Sequence, residues 1–153
     1  MKLSVRGEYA LRALLVLTQH YGEDVVRIQT ISDEQNIPKK FLEQILNELK
    51  SMGAVESKRG AGGGYRLAKA PDKITLASVV RHMTGALAPV SCVSGRFYEP
   101  CTCPDEERCA IREVMKEARE AVVSIMERVT LAELAERATR LENASSGSLD
   151  YVI

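Results

Sequence analysis

The architecture of this chain is written between Gln29 and Gly53, in Gln29-Thr30-Ile31-Ser32-Asp33-Glu34-Gln35-Asn36-Ile37-Pro38-Lys39-Lys40-Phe41-Leu42-Glu43-Gln44-Ile45-Leu46-Asn47-Glu48-Leu49-Lys50-Ser51-Met52-Gly53. A short helix fits Gln29 to Gln35, and Asn36 suits the left-handed conformation that ends a helix. Pro38 falls in the first turn of a following helix, where its missing N–H costs nothing. That helix runs to about Met52 with Phe41, Leu42, Ile45, Leu46 and Leu49 facing inward, and Gly53 stops it. A short helix, a tight turn and an amphipathic second helix predict a helix-turn-helix.

Upstream, Ser4 can cap a first helix reaching about Tyr21, with Val5, Tyr9, Ala13, Leu14, Val16 and Leu17 at helical spacing. Gly22-Glu23-Asp24 breaks it. Downstream, Val55-Glu56-Ser57-Lys58 and Tyr65-Arg66-Leu67-Ala68 flank the glycine-rich tip Arg59-Gly60-Ala61-Gly62-Gly63-Gly64. Two short strands around such a tip make a hairpin, the wing of a winged helix. A nucleotide-binding loop would open directly into a helix, whereas this one runs into an alternating strand. The outward positions of the third helix are Lys39, Lys40, Glu43, Gln44 and Asn47. Gln and Asn can pair with adenine, Glu can accept from cytosine, and Lys can meet phosphate or guanine. Most helix faces of this kind are merely solvated; this one sits on the second helix of the turn and precedes a basic wing. Lys58 and Arg59 are the wing candidates, Arg59 foremost, because a narrow minor groove concentrates negative potential.

The chain has 153 residues, 45% hydrophobic and 27% charged, enough for a core without disulfides. Its net charge of zero hides an asymmetry: residues 1–70 carry eleven Lys/Arg against eight Asp/Glu, and residues 71–153 carry ten against thirteen. Between Ser57 and Pro71 there are four basic residues and no acid, and a local stripe matters more for phosphate contact than the total. No apolar run is long enough to span a membrane and no leader-like segment opens the chain, so a cytoplasmic protein is expected.

All four cysteines, Cys92, Cys101, Cys103 and Cys109, fall within one stretch of eighteen residues. Thiolates are soft ligands for zinc or iron–sulfur clusters and are also open to oxidation. In a reducing compartment such clustering points to metal or redox chemistry rather than to a disulfide staple. Pro71 to Leu76 leads into a short helix ending near Met83, and Gly85, Pro89, Gly95 and Pro100 mark an irregular loop. A long helix follows to about Val129, with Ile111, Val114, Met115, Ala118, Ala121, Val122, Ile125, Met126 and Val129 spaced as a helix-packing seam. We expect two copies to share that seam, a symmetry that suits a palindromic DNA operator. Thr130 opens one more short helix, and a flexible tail is expected over 143–153. An enzyme is the competing class. Cysteine catalysis needs a base, and the two histidines, His20 and His82, lie on predicted helices away from the thiols.

The sequence resembles the Rrf-two family of winged-helix regulators over about residues 1–135. The resemblance rests on Lys2-Leu3-Ser4-Val5-Arg6-Gly7-Glu8-Tyr9-Ala10, Phe41-Leu42-Glu43-Gln44-Ile45-Leu46, the wing from Arg59 to Leu67, Ile74-Thr75-Leu76 and Thr130-Leu131-Ala132-Glu133-Leu134. It implies a mainly α fold with a small β-hairpin: a winged helix-turn-helix domain over 1–83, a cysteine loop over 84–109, and a long dimerisation helix with a short C-terminal helix over 110–142. It further implies a homodimer on double-stranded DNA, with Glu43 and Gln44 reading bases and Arg59 in the minor groove. Cluster-binding members would assign Cys92, Cys103 and Cys109 as ligands of a 2Fe–2S or 4Fe–4S cluster. A carboxylate at the position of Glu8, from the other subunit, completes the site in some. Here Cys101 is an extra thiol, ten residues separate Cys92 from Cys103, and Arg112 stands where one branch has a histidine. The fourth ligand is thus Glu8, Cys101 or nothing. The expected function is a transcriptional repressor whose operator affinity follows an iron–sulfur or thiol centre. Structural zinc, a metal-free thiol switch and no sensing centre at all remain as alternatives.

Overall fold

The computed structural model describes residues 3–147. Its core forms where Leu14 and Leu17 of α1 (Val5–Gln19), Ile31 of α2 (Ile28–Gln35) and Leu42, Leu46 and Leu49 of α3 (Lys39–Ser51) meet, each 1% exposed or less. Ser4 caps α1 by accepting the Gly7 N–H at 3.1 Å. Asn36 ends α2 in the left-handed region at φ 51°, a conformation that Asn tolerates better than most residues. Of these, α2 and α3 form the predicted helix-turn-helix with α1 packed against them, and β1 (Val55–Lys58) and β2 (Gly64–Leu67) form the wing.

The wing is held at its base. Val55 pairs with Leu67 and Lys58 with Gly64 in an antiparallel register. Val26 and Tyr65 exchange two backbone hydrogen bonds of 2.8 Å, which pins the entry to α2 against β2. Gly64 is required at that junction, because a β-carbon there would fall 2.3 Å from the Val26 carbonyl oxygen. At the tip Gly60 takes φ 107° and the Gly63 N–H donates to its carbonyl at 3.0 Å.

A short 3-10 turn at Pro71–Lys73 leads into α4 (Leu76–Thr84), capped by Thr75, which accepts the Ser78 N–H at 3.2 Å. The cysteine loop contains a second such turn at Ser91–Val93 and ends at α5 (Ala110–Arg128). The end of α5 returns to the start of α4 through Leu76 N–H to Val129 O at 3.0 Å and Leu131 N–H to Ile74 O at 2.9 Å. From there α6 (Leu131–Gly147) packs along α1, and Leu131 joins the main core at 0% exposure. No helix of the described residues is long and apolar enough to cross a membrane.

Five expectations need correcting. Phe41 does not face inward; it is 58% exposed. Leu42, Ile45, Leu46 and Leu49 span an arc of about 100°, and Phe41 lies about 40° beyond its edge at 100° per residue. Val5 is also exposed, because the packed face of α1 begins at Gly7 and Ala10. Pro38 sits at the cap of α3, at ψ 126°, rather than inside its first turn. The α5 stripe divides between two faces: Val123 and Met126 pack on Ala77, Val80 and Leu87, while Ile111, Val114 and Ile125 are more than half exposed. Finally, α6 is 17 residues long and carries the expected tail as helix through Gly147; the last residues of that tail lie outside the described ones.

Candidate nucleic-acid interface and cysteine loop

The start of α2, the outer side of α3 and the wing enclose one cleft of about 540 Å³. Lys39, Asn47, Lys58 and Arg59, all candidates from the sequence, line it, and Arg27 and Lys50 join them. Five basic side chains and no acid therefore face one channel. Nothing local in the sequence marks Arg27 for this role, because only the Val26–Tyr65 bridge brings it to the wing. Lys50 was within reach, being one helical turn beyond Asn47. Lys40, Glu43 and Gln44 are exposed on α3 outside that cleft.

The basic stripe is less free than its sequence implies. Lys58 pairs with Asp24 at 2.9 Å, and Arg66 pairs with Glu56. Lys58 in turn holds the Asp24 carboxyl below its ordinary range. Lys50 donates to the Ser57 hydroxyl at 2.7 Å, tying α3 to β1. Arg59 has no carboxylate partner among the described residues and stands exposed beside the tip. The N-terminus of α2 has no side-chain cap and opens into the same cleft. Its unpaired backbone N–H groups and helix dipole favour phosphate.

The loop brings three thiols together at the start of α5. Cys109 is the cap of that helix, and its Sγ accepts the Arg112 N–H at 3.4 Å. This hydrogen bond holds the Cys109 thiol below its ordinary range. Cys103 lies with its Sγ 3.9 Å from that of Cys109. Hydrogen bonds to Cys101 and Cys109 favour its protonated form, and its pKa is pushed up to about 12. Cys92 sits apart, buried on the 3-10 turn, and burial raises its thiol pKa, with Cys101 and Glu106 adding to the effect. Arg112 does not replace a histidine ligand here. Its Nε lies 3.3 Å from both the Cys92 carbonyl and Glu106, and Glu106 accepts the Tyr98 hydroxyl at 2.8 Å. The chain Tyr98–Glu106–Arg112 thus ties the loop across itself.

The donor set suits a thiophilic metal or an iron–sulfur cluster. Two thiolates on one tetrahedral ion with metal–sulfur bonds of about 2.3 Å stand roughly 3.8 Å apart, close to the observed 3.9 Å. Among the described residues no three His, Cys, Asp or Glu side chains already form a metal cage. Glu8 projects from α1 and pairs with Arg12 at 3.4 Å rather than with cysteines of its own chain. The two histidines stay away from the thiols: His20 pairs with Glu23 at 2.7 Å, and His82 lies 3.4 Å from the Ser51 hydroxyl.

Comparison with known proteins places this geometry in context. Residues 3–137 match the Rrf2 family, described as iron-dependent transcriptional regulators. An rrf2-like HTH-type transcriptional regulator of Rhodobacter capsulatus is 38% identical over 136 residues, covering 86% of this chain and 91% of that protein. The structure of CymR, the global cysteine regulator of Bacillus subtilis, superposes with a TM-score of 0.76 at 31% identity, covering 90% of this chain and 98% of that one. T. potens IscR gives 0.71 at 28% identity, covering 90% and 88%. These relatives regulate transcription and are not enzymes. The chain belongs to the Rrf2 family of winged-helix, DNA-binding transcriptional regulators.

Proposed function

We propose that this regulator acts as a homodimer on a two-fold symmetric operator, as a repressor, and that a centre on the cysteine loop sets its DNA affinity. The carrying observation is that the thiol loop is built onto the helix with an open apolar face. Cys109 caps α5, and no residue of α5 is buried in the single chain. Burying an Ile or Val side chain contributes roughly 1.5–3 kcal/mol, so pairing the Ile111, Val114 and Ile125 faces of two copies is a strong driving force. Any change in the loop then acts at the start of the dimer helix.

On the DNA, α3 would enter the major groove with Lys40, Glu43 and Gln44 toward base edges, while Lys39 and Asn47 flank the wing cleft. Lys58 and Arg59 would follow the backbone into the minor groove. Cys92, Cys103 and Cys109 would hold an iron–sulfur cluster, with Cys101 or Glu8 of a second copy as the remaining donor. Such a cluster supplies a site whose assembly or loss reports iron, oxidants or nitric oxide. The protein side of the switch is the clasp from Tyr98 through Glu106 to Arg112, which orients the loop. Anaerobic purification with visible absorption and iron, sulfide and zinc analysis tests this reading. Matching iron and sulfide would support it; a colourless protein with zinc or no metal would overturn the cluster and leave the DNA interface standing.

A thiol switch is the second reading, favoured by the opposite thiol shifts at Cys109 and Cys103, 3.9 Å apart. A peroxide would oxidise the Cys109 thiolate to a sulfenic acid. The Cys103 thiol would then displace water from it to close a disulfide. Zinc on the same thiols would instead be a structural clip.

A further inference from the structure

The cleft between α4, the segment after Cys92 and α5 belongs neither to the DNA interface nor to the thiol cluster. It holds about 400 Å³ and is lined by Arg81 of α4, Arg96 of the loop and Arg119 of α5, with Leu87 and Val123 as an apolar wall. Residues 71–153 carry more acids than bases, yet three arginines converge here. Arg81 is paired with Glu127 at 2.7 Å. Arg96 and Arg119 have no carboxylate within salt-bridge range among the described residues. Uncompensated like charges repel one another, and a bound anion relieves that repulsion.

We propose that this cleft is a binding site for a small multivalent anion bearing carboxylate or phosphate oxygens. The guanidinium fork fits both groups bidentately, which a lysine cannot do. The volume admits a metabolite rather than a polymer, and the apolar wall accommodates a short carbon backbone. The loop lies close to α5 at this point: a β-carbon added at Gly95 would stand 2.8 Å from the Arg119 guanidinium, the flexible end of a side chain that can turn into the cleft. Arg119 and Val123 point between about 80° and 180° away from Ile111, Val114 and Ile125 around α5, so a partner on the exposed stripe leaves the cleft open. A ligand gripping Arg96, Arg81 and Arg119 together would fix the loop that begins at Cys92. Only this last consequence, for DNA affinity, rests on the function proposed above.

Isothermal titration calorimetry of the full chain with citrate and, separately, inorganic phosphate, against chloride at equal ionic strength, tests the site. The expected result is saturable binding of one anion per chain by at least one titrant. Citrate alone would mark a carboxylate ligand, phosphate alone a phosphate ester, and both a shared oxyanion site. Arg119→Gln should weaken binding about tenfold, the usual worth of a charge-assisted hydrogen bond. Arg96→Gln, on the exposed loop where folding is not at stake, should act in the same direction, and Arg140→Gln on α6 should bind as the parent does. Binding by neither anion, or equal binding by both Arg119→Gln and Arg96→Gln, would overturn the site. An equal loss in Arg140→Gln would do so too. If the anion binds but DNA affinity by fluorescence anisotropy is unchanged, the site stands and only its regulatory consequence falls.

Discussion

At the scale of single residues, exposure separates the side chains that build the domain from those available for contact. Leu46 is fully buried in the α3 core, whereas Phe41, five positions earlier, is 58% exposed. Leu46→Ala should cost about 2–5 kcal/mol of stability, and Phe41→Ala should stay within about 0.5 kcal/mol. Urea denaturation of the two variants checks this, and similar losses for both would restore Phe41 to the core. Arg59 is the basic wing residue without a carboxylate partner, so Arg59→Ala should weaken DNA binding across sequences and lower the salt slope by about 1. Anisotropy titrations over a range of salt measure that slope. The thiols should differ as sharply. Cys109 has its thiol lowered by the Arg112 N–H and Cys103 is pushed up to about 12. In the metal-free protein, iodoacetamide should therefore label Cys109 at a lower pH than Cys103, because alkylation needs the thiolate. Mass spectrometry of peptides alkylated across a pH series reads the order directly.

At the scale of elements, the helix-turn-helix was legible because its signals are local. Asn36, the Leu42–Leu49 periodicity and the glycine tip each fix backbone within a few residues. What escaped the sequence was set by distant contacts. The Asp24–Lys58 pair joins residues far apart in sequence, and Arg27 reaches the wing cleft only through the Val26 bridge. Phe41 misled because a large apolar residue at the rim of a helical arc looks the same in sequence as one at its centre. The α5 stripe was readable as apolar but not as two faces, since that division depends on where α4 lies. Within the loop, the meeting of Cys101, Cys103 and Cys109 is short-range and was visible as clustering, while the clasp through Arg112 was not. Arg112→Gln removes the side-chain contacts to Glu106 and the Cys92 carbonyl. It should free the loop without unfolding α5, whose own backbone ladder is untouched. Hydrogen exchange should then rise over 92–109 and remain as in the parent over 112–128; a rise across all of α5 would mean that the clasp holds the helix itself.

At the scale of the whole molecule, the chain is a DNA-binding domain from which one helix extends an unburied apolar face. Its C-terminal helix folds back onto α1, so the two ends of α5 are anchored differently: one in the core through Leu131, the other in the cysteine loop. A second copy on the exposed stripe would place two recognition helices under common control. Ile125 is 52% exposed in the single chain, so Ile125→Glu should leave the domain folded while shifting sedimentation from dimer to monomer. A dimer that survives the substitution would move the seam elsewhere.

The decisive measurement is DNA affinity in the presence and absence of the loop centre. The anaerobically purified protein would first select its own sites from random duplexes, and anisotropy would then compare the loaded protein with the same protein after chelation and thiol reduction. A switch coupled to the loop gives a change of about tenfold or more, within the usual range of coupling between two sites, with the dimer intact in both states. Equal affinity for the selected site in both states would contradict it.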